Sequence, residues 1–275
     1  MLAQRPAAAG RSFLWRVTGQ SGGLYLVGSV HMLTKDYYPL NPTLDAAYMD
    51  SDLLVEEVDL SELSSPTAQL AMVSRGMLSG SSLDKVVSRD TYALVSKRAA
   101  KLGIPVEPLN LLKPWMVAIM LLGLEWQKAG FEPDLGLDKH FFDRAQTEKK
   151  QVKGLETVEF QLSRFDDMTP DQQDHMLADT LRGLETEMAN VTKLADAWKT
   201  GDTSSVERIV LADLKSDPVM YQRLLIERNR NWLPQLEALL ARRTRAFVVV
   251  GAAHLVGSDG LLAMLRAKGY AVEQM

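Results

Sequence analysis

Leu26-Val27-Gly28-Ser29-Val30-His31-Met32-Leu33 is echoed near the other end of the chain by Val249-Val250-Gly251-Ala252-Ala253-His254-Leu255-Val256. Each stretch reads as an aliphatic strand, then glycine, two small or aliphatic residues, and histidine. Glycine after a strand permits a sharp turn or a close backbone approach. Each histidine then falls at the carboxyl end of its strand, where open α/β sheets place their ligand sites. Parallel neighbouring strands lie about 4.8 Å apart, so the two imidazoles are within reach of one ion. A lone motif of this kind also fits a hydrogen-bonded loop histidine. Its repetition uses half of the chain's four histidines and points to a shared site. His140 and His175 sit in helical patterns and read as ordinary helix residues.

Outward from these stretches, strand and helix patterns alternate at both ends, with a long helical stretch between. Phe13 to Val17 and Leu24 to Val27 are expected strands around a turn at Ser21-Gly22-Gly23. Asn41-Pro42 caps and starts a short helix. Leu83 to Leu102 reads as one amphipathic helix stopped by Gly103, and Ile104-Pro105-Val106 as a short strand. Trp115 to Leu124 belongs to an apolar, buried helix begun by Lys113-Pro114. Asp138 to Lys149 is a helix, Gln151 to Leu155 a strand, and Thr169-Pro170 opens a long helix to about Trp198. A further helix begins at Pro218 and is expected to break or kink at Pro234. Ala246 to Val250 is a β-branched strand, followed by a helix from Leu261 to Lys268 and a last strand, Tyr270 to Val272. The expected fold class is therefore α/β: a central, mostly parallel sheet with a large helical insertion and the Gly-x-x-His motifs at strand ends. Residues 12–275 read as one domain, and residues 1–11 as a loose leader.

Two features look out of place. Leu53-Leu54-Val55-Glu56-Glu57-Val58-Asp59-Leu60 carries acids in an apolar run. A carboxylate in a buried strand is costly unless paired or metal-bound; otherwise the strand ends early and the acids are solvated. If the strand continues, alternation puts Glu57 and Asp59 on one face and Glu56 on the other. The second feature is the stripe Tyr221, Leu225, Arg228, Trp232, which has core-facing spacing. Arg228 replaces a hydrophobic residue there, so it either snorkels from the stripe's edge or meets a carboxylate or anion. Glu57 and Asp59 are the first candidates. Glu227 is spaced for a surface pair with Arg223.

The 275 residues carry 31 Lys+Arg against 35 Asp+Glu and no cysteine. No basic balance suggests nucleic acid, and disulfides, thiol nucleophiles and Cys-ligated zinc are excluded. No stretch reaches the roughly 18 apolar residues of a membrane span. The start has no apolar signal core, as in a cytoplasmic chain or one whose signal peptide has been removed.

Taken together, the paired Gly-x-x-His motifs, Glu57-Val58-Asp59, Gly154-Leu155-Glu156-Thr157 with Gln161, Glu227-Arg228-Asn229 and Gly251 to Leu261 resemble the TraB/GumN family, which includes the Tiki metalloproteases. The resemblance spans about Phe13 to Val272. It implies a divalent-metal-dependent peptidase (Zn²⁺, Mn²⁺ or Co²⁺) with His31, His254 and Glu57 around the ion. Glu57 is either third ligand or general base, and Arg228 joins the catalytic groups. It also implies a peptide or protein substrate and, for many members, export to the periplasm or beyond. The alternative is a protein of the same family that sequesters a peptide or small ligand without chemistry.

Overall fold

The computed structural model describes residues 11–275, the side chains of Glu187 and Asp213 excepted. The leader expected over 1–11 lies outside these residues apart from Arg11. Strands β1 (Leu14–Thr18), β2 (Gly23–Ser29), β3 (Leu53–Glu56), β4 (Gln151–Gly154), β5 (Ala246–Gly251) and β6 (Ala271–Gln274) form one sheet in the order β4-β3-β5-β2-β1-β6. The strands β4, β3, β5 and β2 run parallel. The β1–β2 hairpin is antiparallel, as is the β1–β6 pair that closes the edge. All six residues of β5 are buried, which is why it reads as a continuous apolar run rather than an alternation.

The helices are α1 (Pro42–Met49), α2 (Leu60–Leu63), α3 (Pro66–Gly76), α4 (Leu83–Val86), α5 (Arg89–Leu102), α6 (Pro114–Lys128), α7 (Leu137–Glu148), α8 (Val158–Asp166), α9 (Pro170–Lys199), α10 (Thr203–Ser216), α11 (Pro218–Tyr221), α12 (Glu227–Leu240) and α13 (Leu261–Ala267). Helical chain leaves the sheet twice, between β3 and β4 and again between β4 and β5, rather than as a single insertion. Among the described residues no helix is long and apolar enough to cross a membrane.

Several local expectations change. The stretch Leu83 to Leu102 is two helices, because Ser88 caps a new start by accepting from the Thr91 amide at 3.1 Å. Ile104-Pro105-Val106 joins no strand and leads into a 3-10 turn at Glu107–Leu111. β3 stops at Glu56 because Asp59 caps α2, its Oδ1 accepting from the Ser61 amide at 2.9 Å. Strand alternation therefore does not place Glu57 and Asp59 together. Pro234 does not end its helix: α12 runs through it, with Trp232, Leu236, Leu239 and Leu240 buried on its inner face. A buried large side chain contributes roughly 1.5–3 kcal/mol, so four of them outweigh the ~3 kcal/mol cost of an interior proline. The irregular segment lies earlier, at a π-turn over Gln222–Ile226.

The packing fixes the strand tips. In-register pairing sets Ser29 beside Gly251 and Glu56 beside both Val249 and Gly154. A Cβ on Gly28 would lie 2.3 Å from Cδ1 of the buried Phe13 ring, so only glycine fits there. The end of α9 is tied to the same residue: Trp198 Nε1 donates to the Gly28 carbonyl at 2.6 Å. Trp198→Phe removes that donor from a buried acceptor, which costs about 1–3 kcal/mol. The expected result is a lower denaturation midpoint with an unchanged m-value, read by circular dichroism in urea.

Candidate active site

The register of β2 and β5 brings the two glycine–histidine motifs to one place. Gly251 marks its centre. A Cβ on Gly251 would lie 3.2 Å from Glu57 Oε1, 3.5 Å from His31 Nε2 and 3.6 Å from His254 Cδ2. The backbone here has φ −50°, so glycine is needed for space and not for conformation.

His254 follows β5 on a 3-10 turn over Ala252–His254 and is buried. Its Nδ1 lies 2.7 Å from Asn229 Oδ1. The Asn229 amide NH₂ donates to the carbonyls of His254 (3.2 Å) and Asp259 (2.8 Å), so its oxygen is the acceptor. Nδ1 therefore carries the proton and Nε2 presents a lone pair. Burial, then the Arg228 charge, lower the His254 pKa to about 3, so the ring is neutral.

His31 is the open side of the site, its side chain 63% exposed. Its Nδ1 lies 3.1 Å from Asp138 Oδ1, and Ser29 Oγ also donates to that oxygen. Gly136 caps α7 against the His31 backbone, which carries Asp138 into place. The Asp138 carboxylate raises the His31 pKa above its ordinary value against the opposing effect of desolvation.

Glu57 accepts from the Gly251 amide at 2.6 Å, from Arg228 Nη2 at 2.5 Å and from Gln161 Nε2 at 3.3 Å. Its Oε1 is 3.9 Å from His254 Nε2. Burial would raise its pKa, but Arg228 first, then His254 and His31, hold it well below the usual carboxylate range. Such a group is a weak base and a firm anion. The Arg228 guanidinium is buried and does point into the site. Besides Glu57 it binds Glu156, through Nε at 3.0 Å and Nη2 at 2.7 Å, and Nη1 donates to His254 Nε2 at 3.1 Å. Trp232 Nε1 donates to Glu156 at 3.0 Å, and the indole also lies under the Arg228 charge.

Asp59 is absent from this network because it caps α2. Glu227 pairs with Arg164 at 3.0 Å and not with Arg223. His140 packs among Tyr38 and Phe141, and His175 pairs with Asp179 on the surface of α9. Four participants had no assigned role in the sequence reading: Glu156, Asp138, Asn229 and Ser29. Glu156 had a signal, an acid just past a strand paired in register with β3, and its amide donates to the Glu57 carbonyl at 2.8 Å. Glu56 points elsewhere. It is 2% exposed with neither oxygen hydrogen-bonded, and burial, then Asp138, push its pKa up to about 9.

Two imidazoles and a carboxylate are a donor set for a borderline divalent ion. The outer partners fit as well: Asp138 and Asn229 hold each Nδ1, the arrangement that orients metal-binding histidines. The spacing is that of a site closed on Arg228. Among the described residues no three of His, Asp and Glu stand together at ligand distances, and Nη1 of Arg228 takes the His254 lone pair.

The His31–Asp138 pair gives a pH expectation. A raised histidine pKa means the pair's contribution to stability is complete below the unfolded value near 6.5 and is lost as pH rises through the folded one. Imidazole NMR is expected to show His31 titrating above 6.5 in the wild type. Asp138→Asn is expected to bring that titration down; no change would show that the pair is not coupled.

The chain is 27% identical to the uncharacterized protein YbaP of Escherichia coli (strain K12) over 242 residues, covering 88% of this chain and 87% of that one. The same figures hold for the uncharacterized YbaP of Shigella flexneri. No solved structure matches. The TraB/PrgY/gumN family model matches residues 13–274, a span that includes every strand of the sheet and both glycine–histidine motifs, and the chain belongs to the TraB/PrgY/gumN family.

Proposed function

We propose that this protein is a divalent-metal-dependent hydrolase of peptide bonds, of the Tiki type within its family. The observation that carries the reading is the convergence of His31 Nε2, Glu57 and His254 on the space left by the missing side chain of Gly251. In this reading His31, His254 and Glu57 hold the ion, which is Zn²⁺, Mn²⁺ or Co²⁺. When bound, it supplies an activated water and polarises the scissile carbonyl. Glu57 acts as an anionic ligand more readily than as a base, since Arg228 and the Gly251 amide stabilise its ionised form. Glu156 grips Nε and Nη2 of Arg228, so Nη1 is the arm free to leave His254 and meet negative charge developing on a substrate oxygen. Asp138 keeps the His31 proton on Nδ1, which leaves Nε2 facing the site. The reading carries with it work outside the cytoplasm, which cell fractionation tests.

One observation favours a second reading, a protein that sequesters a peptide without cutting it: Glu57, Arg228 and His254 already satisfy one another. Turnover separates the two. A peptide library incubated with sub-stoichiometric protein and Zn²⁺, Mn²⁺ or Co²⁺ is expected to yield cleavage products beyond one equivalent by mass spectrometry. Saturation at one equivalent without products would establish the sequestering reading instead.

Two variants probe the roles. Glu57→Gln is expected to lower turnover by at least 10²-fold, the usual scale for losing a group central to proton transfer or charge placement, and to weaken metal uptake measured by elemental analysis. Unchanged turnover and uptake would remove Glu57 from the site. Arg228→Lys keeps one charge but loses the planar fork that spans Glu57 and Glu156. Its expected effect is a drop in kcat corresponding to about 3–4 kcal/mol, the loss of one good oxyanion donor.

A further inference from the structure

Glu56 is only 2% exposed, neither of its oxygens is hydrogen-bonded, and the site around Gly251 does not use it. Its place in the sheet shows what it faces. Glu56 pairs in register with Val249, so alternation puts it on the same face as Leu54 and Phe247. Helix α7 covers that face: the Phe141 ring lies 4.6 Å from Phe247, centroid to centroid. Ser29 pairs with Gly251, two residues beyond Val249, and so comes to the same face. On the opposite flank the register partner of Glu56 is Gly154, which adds no side chain. The first turn of α7 carries Asp138 and sets it against Ser29, whose hydroxyl donates to Asp138 Oδ1.

This polar ground lacks a cation of its own. The charged groups that act on Glu56 are Asp138, then Asp59 and Glu57, all acids; the Leu60 amide acts the other way without closing a hydrogen bond. A buried carboxylate in such company is unfavourable unless a cation joins it. The neighbouring cations are engaged elsewhere: Arg228 binds Glu57 and Glu156, and His31 Nδ1 faces Asp138. Both side-chain partners of Asp138 use Oδ1, which leaves Oδ2 as the oxygen it can offer.

We propose that Glu56, Asp138 and Ser29 form a second cation site, built of oxygen alone, on the α7 side of the sheet, and that it takes a hard divalent ion, Mg²⁺ or Mn²⁺. Carboxylate and hydroxyl oxygens suit these ions, whereas imidazoles suit Zn²⁺. Mg²⁺ is commonly held by one or two carboxylates and keeps several waters. Two carboxylates and a hydroxyl therefore suffice, although among the described residues no three of His, Asp and Glu stand together at ligand distances. The ion would share Asp138 with His31, so filling the site steadies the ring on the open side of the Gly251 site. The proposal goes beyond the hydrolase reading and does not require turnover.

The test measures ion binding apart from activity. Chelator-treated protein is melted at neutral pH in about 5 mM MgCl₂ or in NaCl of equal ionic strength. Mg²⁺ is expected to raise the midpoint by about 3 °C or more over NaCl, as a ligand present at several times its Kd does. Glu56→Gln keeps the shape and removes the anionic oxygens, and is expected to abolish that difference. Glu56→Leu is expected to abolish it too, and to melt at or above the ion-free wild type because the orphaned carboxyl is gone. His254→Gln is expected to retain it. Elemental analysis after desalting from MnCl₂ supplies the count: two Mn²⁺ per chain in the wild type, one in Glu56→Gln and one in His254→Gln. No Mg²⁺ effect in the wild type, an effect that survives Glu56→Gln, or a Mn²⁺ count unchanged by Glu56→Gln would each overturn the proposal. A single Mn²⁺ lost in Glu56→Gln but kept in His254→Gln supports this site and removes the ion of the hydrolase reading. A single Mn²⁺ lost in His254→Gln but kept in Glu56→Gln removes this site and keeps that reading.

Discussion

The guanidinium of Arg228, held between Glu57 and Glu156, is the interaction on which the rest of the site depends. Both carboxylates are almost fully enclosed, and a buried charge left without its partner costs several kcal/mol. One guanidinium against two carboxylates leaves one negative charge over. The neighbouring His31 imidazolium does not offset it, because Asp138, the carboxylate that favours that charge, balances it. A bound divalent cation would offset it in the proposed working form, with His31 then neutral. The site is built to be completed by positive charge, and Arg228 is the part that remains in both conditions.

The sheet makes that arrangement possible. Glu57 follows β3, Glu156 follows β4, His31 follows β2 and His254 follows β5, and these four strands are the parallel part of the sheet. Parallel strands end on the same side, so their carboxyl tips deliver side chains to one place, a general property of open α/β sheets. The order β4-β3-β5-β2 sets the glutamates on one flank and the histidine motifs on the other, with Gly251 between. From outside the sheet, α12 supplies Arg228 and Asn229, which meet both flanks: Arg228 binds Glu57, Glu156 and His254, and Asn229 sets the His254 tautomer. The π-turn just before α12 adds a residue to the helical register immediately upstream of Arg228. Such π-bulges often sit at functional sites.

Part of this was legible without coordinates. The motif pair marked His31 and His254, because glycine–histidine after an aliphatic strand is a local pattern that occurs twice. Arg228 was visible because a charged residue interrupts a core-facing helical stripe. Glu57 stood out as an acid in an apolar run and by its place in the family motif, although the shared strand face with Asp59 does not form: β3 stops at Glu56 and Asp59 caps a helix. Element type was clear in the β-branched apolar run of β5 and in the long helical stretch of α9. It failed at Ile104-Pro105-Val106, which joins no strand, and the alternative of a break at Pro234 is absent because α12 runs through it.

What the sequence determined by itself is the set of unusual residues and the strand–helix alternation that implies parallel strands, because both are written in spacing along one chain. What the tertiary structure alone decided is the pairing. Glu156 rather than Asp59 is the second carboxylate on Arg228, Asp138 holds His31, and Asn229 fixes His254. The sequence separations of these pairs range from 25 to 107 residues. No periodicity spans such distances, and only strand order and helix packing bring those side chains into contact.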